Sequence, residues 1–125
     1  MNHDLITSNI ETVLIVTGAL TAVGLAPFVT PSWVLRHTFG EVQSPASITL
    51  ARHWGLLLFC VGALLVYSAF HPQLRAPAVV LASVEKVGFV VCVLGTSLRK
   101  RPIVAMMAAA DAVMVLLYVL YLAGL

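Results

Sequence analysis

Residues 12 to 29 read TVLIVTGALTAVGLAPFV and contain no charged side chain. About 20 apolar residues suffice for one membrane-spanning helix, so this run predicts a span, and Pro27 near its end predicts a kink. Three further apolar runs follow, at residues 48 to 70, 78 to 98 and 103 to 125. The sequence therefore predicts an all-α integral membrane protein, in which residues 1 to 125 form a single bundle of four spanning helices.

The composition of the chain agrees with a membrane protein. Of its 125 residues, 61% are apolar or aromatic and 10% are charged, whereas soluble domains contain about 25% charged residues. The formal net charge of +2 is too small for the basic surface that binds nucleic acid. We therefore expect the lipid bilayer, and no nucleic acid, as the partner.

The basic residues of the loops predict the orientation of the bundle. The loops at residues 30 to 47 and 99 to 102 contain Arg36, Arg99, Lys100 and Arg101, whereas the turn at residues 71 to 77 contains only Arg75. By the positive-inside rule, the two richer loops are cytoplasmic and both termini face outward. The compact size favours a bacterial inner membrane, which would place the termini in the periplasm.

Four charged residues fall inside the predicted spans, at Arg52, Glu85, Lys86 and Asp111. Each costs roughly 2.5 to 3.5 kcal/mol near the centre of a membrane helix, so each requires a partner. We expect the four charges to form one neutral cluster, and as salt bridges between helices the pairs would be Arg52 with Glu85 and Lys86 with Asp111. For Lys86 the alternatives are to reach Asp111 from the flank or to extend its stem toward the outer surface. Metal ligation is not supported, because no Cys/His spacing typical of a metal site occurs.

Helical phase, at about 100° per residue, predicts which faces meet. We expect the faces that contain Arg52, Glu85 and Asp111 to point at one another. Glu85 is expected to point inward more than Lys86, because small residues surround it. His53 is expected to neighbour the cluster, and Tyr118, on the face of Asp111, would line a cavity above it. Haem is not supported, because His53 has no histidine partner within a span.

Glycines and cysteines in the second and third spans carry further predictions. Gly55 and Gly62 are one heptad apart, and so are Gly88 and Gly95. We expect both pairs to pack helices closely inside the bundle. The two cysteines of the chain lie at different depths, and we expect them to be buried thiols without a disulfide.

The run Ala51-Arg52-His53-Trp54-Gly55-Leu56-Leu57, together with the four spans, resembles small bacterial membrane proteins of the DoxX-like families. Some of those proteins are implied to work beside quinone-linked sulfur oxidation. The resemblance implies an accessory redox subunit, but it carries no catalytic residue onto this chain and leaves open whether the protein is an enzyme.

Three functional hypotheses follow from these residues. The first is a bundle that binds a small apolar, lipid-like or quinone-like ligand. The second is a proton-coupled small transporter with Glu85 or Asp111 as the carrier, and the third is a structural or assembly protein whose charges only join helices. No cofactor is identified, and nothing in the sequence argues for or against a homo-oligomer. The candidate ligand-binding or proton-relay residues are Arg52, His53, Glu85, Lys86, Asp111 and Tyr118.

Overall fold

The computed structural model describes residues 5–40 and 44–124. Four helices in these ranges are long and apolar enough to cross a membrane. They are the first span, Ile10–Val29, the second, Pro45–Ala69, the third, Pro72–Leu94, and the fourth, Pro102–Leu122. This confirms the predicted all-α four-helix bundle and supports a location in the lipid bilayer.

Spans that are consecutive in the chain pack side by side, the first on the second, the second on the third and the third on the fourth. The fourth span closes the bundle against the short helix Leu5–Ser8, which precedes the first span. We call the end that contains this helix the terminal end. The opposite end, which contains the first and third loops, is the loop end.

Pro27 interrupts the first span, as predicted. A proline lacks the backbone N–H, and its ring clashes with the carbonyl four residues earlier, which here belongs to Val23. The helix accordingly tightens into a 3-10 turn at Val23–Leu25 before it continues as Ala26–Val29. The break lies where the first span approaches the loop end.

The first loop is more ordered than a plain connection. It contains the short helix Pro31–Val34 and a π-helical turn, Leu35–Phe39. Val34 and Leu35 are buried, so this segment packs back onto the bundle. The turn ends at Gly40, whose φ of 67° lies in the left-handed region that favours glycine. Residues 41 to 43 of the predicted loop lie outside the described residues.

The second and third spans begin earlier than predicted. Ser44 and Ser47 form reciprocal hydrogen bonds that cap the second span at Pro45. The third span begins at Pro72, where a missing N–H costs no helical hydrogen bond, and continues through Pro77. The predicted turn at residues 71 to 77 therefore shortens to Phe70 and His71.

Glycines set the close approach of the first and second spans. A Cβ atom on Gly62 would lie 2.5 Å from the carbonyl oxygen of Gly18, and one on Gly55 would lie 2.7 Å from that of Gly24. No side chain fits in these positions, so the two backbones are in contact. The predicted packing role of Gly55 and Gly62 is confirmed.

The predicted packing role is wrong for Gly88 and Gly95 of the third span. Gly88 is exposed, and a Cβ atom there would meet nothing within 4 Å. Gly95 follows the last residue of the span, and the one atom that a Cβ there would meet within 4 Å is the carbonyl oxygen of Val91 in the same helix. Cys60 and Cys92 are free thiols as predicted, but both are exposed on the bundle surface and are not buried.

Two arginines connect segments at the two ends. Arg75 donates to the carbonyl oxygens of Ser68 at 3.1 Å and Ala69 at 2.6 Å, and it contacts Glu11 of the first span at 3.4 Å. At the loop end, Arg101 donates to the carbonyl oxygen of Thr38 at 2.9 Å. The first and third loops therefore lie at the same end of the bundle.

Candidate intramembrane site

Lys86 is the centre of a charge cluster inside the bundle. Its Nζ atom lies 3.2 Å from Asp111 Oδ1 and 3.9 Å from Glu85 Oε1, and it donates to Thr21 Oγ1 at 2.9 Å. The predicted pair of Lys86 with Asp111 is confirmed. The cluster lies between two apolar cores, because buried residues precede and follow it along both the third and the fourth spans.

The structure reverses the predicted order of Glu85 and Lys86. The side chain of Lys86 is 2% exposed, whereas that of Glu85 is 20% exposed. The inward face of the third span contains Val79 and Val93, both fully buried, and Lys86 shares that face. Of the small residues around Glu85 that suggested an interior position, Ala78 and Ala82 are buried, whereas Gly88 is exposed and a Cβ atom there would meet nothing within 4 Å.

The second span is rotated relative to the prediction, so Arg52 does not pair with Glu85. Arg52 is exposed, and so is His53. The buried face instead contains Gly55 and Gly62, which contact the first span. The other side chains on the face of Arg52 are likewise exposed: Leu56, Phe59, Ala63 and Tyr67.

The face of Asp111 points inward as predicted. Val104, Ala108 and Met114 are buried on it, and Tyr118 is fully buried. Tyr118 belongs to the apolar core at the terminal end, together with Leu14 and Leu65, and does not line the cavity described below. The structure thus brings Glu85, Lys86 and Asp111 together and leaves Arg52, His53 and Tyr118 apart from them.

Sequence reasoning missed Thr21. Its hydroxyl donates to the carbonyl oxygen of Thr17 at 2.7 Å, and the hydroxyl oxygen then accepts the hydrogen bond from Lys86. Thr17 itself donates to Val13 in the same way. Two threonines one helical turn apart on an otherwise apolar span are the signal that points to this face, because such hydroxyls bond their own helix and remain available as acceptors.

A cavity of about 400 Å³ lies beside the cluster. Its volume is within the range of small-molecule sites, roughly 300 to 1,000 Å³. Glu85, Lys86 and Asp111 form its polar end, Thr21 and Thr38 also line it, and the remaining lining side chains are mostly apolar. All four spans contribute, and so does the first loop. The aromatic lining residues are Trp33, Trp54 and Phe89.

The aromatic wall is held by ring contacts. The rings of Trp54 and Phe89 stack with centroids 6.0 Å apart, and Phe39 packs edge-on against Trp54 at 5.7 Å. Phe39 belongs to the π-helical turn of the first loop, so this loop supports the cavity from the loop end. In the described part of the chain, no group of three or more His, Cys, Asp or Glu side chains is placed to hold a metal ion.

These features define a membrane-spanning four-helix protein with a charge cluster at one end of an apolar cavity. Comparisons with models of protein families, with curated proteins and with solved structures find no match.

Proposed function

We propose that the protein binds a small amphiphilic molecule inside the membrane. The apolar part would occupy the cavity among the spans, and the polar head would meet Glu85 and Asp111 beside Lys86. The observation that carries this proposal is the position of the charge cluster at the end of an otherwise apolar cavity. A mostly apolar cavity with a few convergent polar groups is the usual form of a small-molecule site.

The composition of the cluster supports a binding role over a purely structural one. Joining the third and fourth spans requires only the pair of Lys86 and Asp111, which contact each other at 3.2 Å. Glu85 adds a second carboxylate, and among the described residues Lys86 is the one basic side chain that contacts it. A charge inside a membrane protein is costly, and such residues commonly mark substrate or ion pathways.

The intrinsic fluorescence of the protein provides a direct test. The chain contains two tryptophans, and both line the cavity. Titration of the detergent-solubilised protein with fractionated membrane lipids and quinones should change this fluorescence saturably for the natural ligand class. Ala110→Phe, at a lining position, should abolish the change, whereas Ala109→Phe, at the adjacent exposed position outside the lining, should preserve it.

A fluorescence change that never saturates, or that is equal in the two phenylalanine variants, would show partition into detergent micelles and would refute binding in the cavity. Circular dichroism of both variants provides the control for folding. A lipid-like or quinone-like ligand is a proposal based on the charged residues in the spans, and an accessory redox role is a proposal based on the DoxX-like resemblance. Placement in a bacterial inner membrane with the termini outward is likewise a proposal, based on the basic loops.

A second candidate function is structural. Lys86, in the third span, donates hydrogen bonds to Thr21 in the first span and to Asp111 in the fourth, so one side chain links three spans. If the charges serve only to join these helices, replacing Lys86 and Asp111 together by Met and Leu should leave cellular function intact.

Proton-coupled transport through Glu85 or Asp111 is a third proposal, and a lack of pH-driven flux in proteoliposomes that contain folded protein would remove it.

A further inference from the structure

We infer that the head group of the ligand is a protonated amine, so that the cavity accepts a lipophilic amine. This inference rests on the proposed binding function and specifies the chemistry of the ligand. Three properties of the polar end of the cavity support it: its charge, its hydrogen-bonding capacity and its aromatic wall.

The charge of the site is unbalanced. Glu85 and Asp111 carry two formal negative charges, and Lys86 carries one positive charge. Arg52, the fourth member of the expected neutral cluster, is exposed and lies outside the cavity lining, and no other described Lys or Arg lines it. The site therefore has a formal charge of −1, and a ligand with one positive charge would neutralise it. A cationic head group would complement this negative charge, because an uncompensated charge that is shielded from water has a high free energy.

At the polar end of the cavity, the most exposed charged groups are the two carboxylates, which accept hydrogen bonds. The side chains of Glu85 and Asp111 are 20% and 18% exposed, whereas Lys86 is 2% exposed and directs its N–H groups at Thr21 and Asp111. Glu85 Oε1 is buried 3.9 Å from Lys86 Nζ and has no hydrogen-bond partner among the described residues. Ionised carboxylates only accept, so a head group that meets them must be a hydrogen-bond donor.

The aromatic side chains favour the same head group. Phe89, one helical turn after Glu85, lines the cavity together with Trp54, which stacks on it, whereas the ring of Trp33, also in the lining, stacks on His37. Aromatic faces attract cations, and tryptophan is the best of them. A carbonyl, carboxylate or phosphate head would instead bring acceptor oxygens against Glu85 and Asp111 and would be repelled. The inference therefore separates amines from oxidised quinones and anionic lipids.

A matched series of ligands tests the inference. Adamantanemethylamine, adamantanemethanol, adamantyl methyl ketone and adamantanecarboxylic acid share one apolar body and differ in the head group. Tryptophan fluorescence of the detergent-solubilised full chain measures their affinities. We expect the amine to bind about tenfold more tightly than the alcohol, and the ketone and the carboxylate to bind more weakly still.

Variants assign the preference to the carboxylates. Glu85→Gln makes the site formally neutral and should reduce amine affinity about tenfold, with little effect on the alcohol. Asp111→Asn should act in the same direction and provides a second route if one variant folds poorly. Glu11→Gln is the matched control, because it removes an exposed carboxylate at the terminal end that contacts Arg75 and should change no affinity.

The outcomes separate this inference from the proposed function. If the amine is not the tightest ligand, or if Glu85→Gln and Asp111→Asn both leave its advantage unchanged, the amine assignment is overturned. Saturable binding of the ketone or alcohol, blocked by Ala110→Phe, would in that case still support the cavity as a binding site. If no member of the series and no membrane extract binds, both proposals fail.

Discussion

The contact between the first and second spans predicts that one substitution, glycine to alanine, has opposite effects at two positions. In Gly62→Ala, the new Cβ atom would lie 2.5 Å from Gly18 O and 2.8 Å from the Cα atom of Ala22. Ordinary contacts at such an atom are 3.4 to 4 Å, so the first span must move by about 1 Å. Overpacking of this kind costs about 1 to 3 kcal/mol.

Gly88→Ala is the matched control inside the third span. A Cβ atom there meets nothing within 4 Å, and alanine stabilises a helix relative to glycine by about 0.5 to 1 kcal/mol. We therefore expect Gly88→Ala to raise the midpoint of unfolding and Gly62→Ala to lower it.

The assay is unfolding of the purified protein in mixed micelles with increasing sodium dodecyl sulfate, followed by circular dichroism. Val61→Ala, which shortens a buried side chain next to Gly62, gives the loss expected from reduced packing alone. If Gly62→Ala is as stable as wild type, or if both glycine variants are destabilised equally, the backbone contact between the two spans is refuted.

Two further predictions concern the charge cluster and the topology. Lys86→Met leaves two partly buried carboxylates without their cation and should destabilise the protein by about 3 kcal/mol, whereas adding Asp111→Leu should recover much of that loss. Equal stability of the single and double variants in the same unfolding assay would contradict the ion pair. In a background without native cysteines, Gln73→Cys should react with an impermeant maleimide in intact cells and Lys100→Cys only after lysis. The reverse pattern would invert the proposed orientation.

The spans and one ion pair could be predicted from the sequence because they depend on strong local signals. Long uncharged runs mark membrane helices. Lys86 and Asp111 are the kind of residues that must find partners in lipid. Pro27 likewise marks its own helix break. In each case one residue or one run would be energetically unfavourable in any other arrangement, so it determines the local structure by itself.

The rotation of the second span could not be predicted from Arg52. In a bilayer both faces of a helix are apolar, so hydrophobic periodicity does not identify the inward face. A charged side chain near a helix end can also extend along the outside toward the interface. Gly55 and Gly62 indicate the inward face of the second span more directly than Arg52 does, because the backbone contact with the first span leaves no room for a side chain at these positions. The cavity depends on the relative placement of four helices, which no local pattern encodes.

The Lys86–Asp111 pair also bears on how the chain enters the membrane. Alone, the fourth span would carry an unpaired carboxylate into lipid, at roughly 2.5 to 3.5 kcal/mol. The third span would carry Glu85 and Lys86, whose Nζ and Oε1 atoms are 3.9 Å apart. Only residues 95 to 101 separate the two helices. Insertion of both as one hairpin lets Asp111 meet Lys86 before either is surrounded by lipid, so the translocation machinery would release these two helices together.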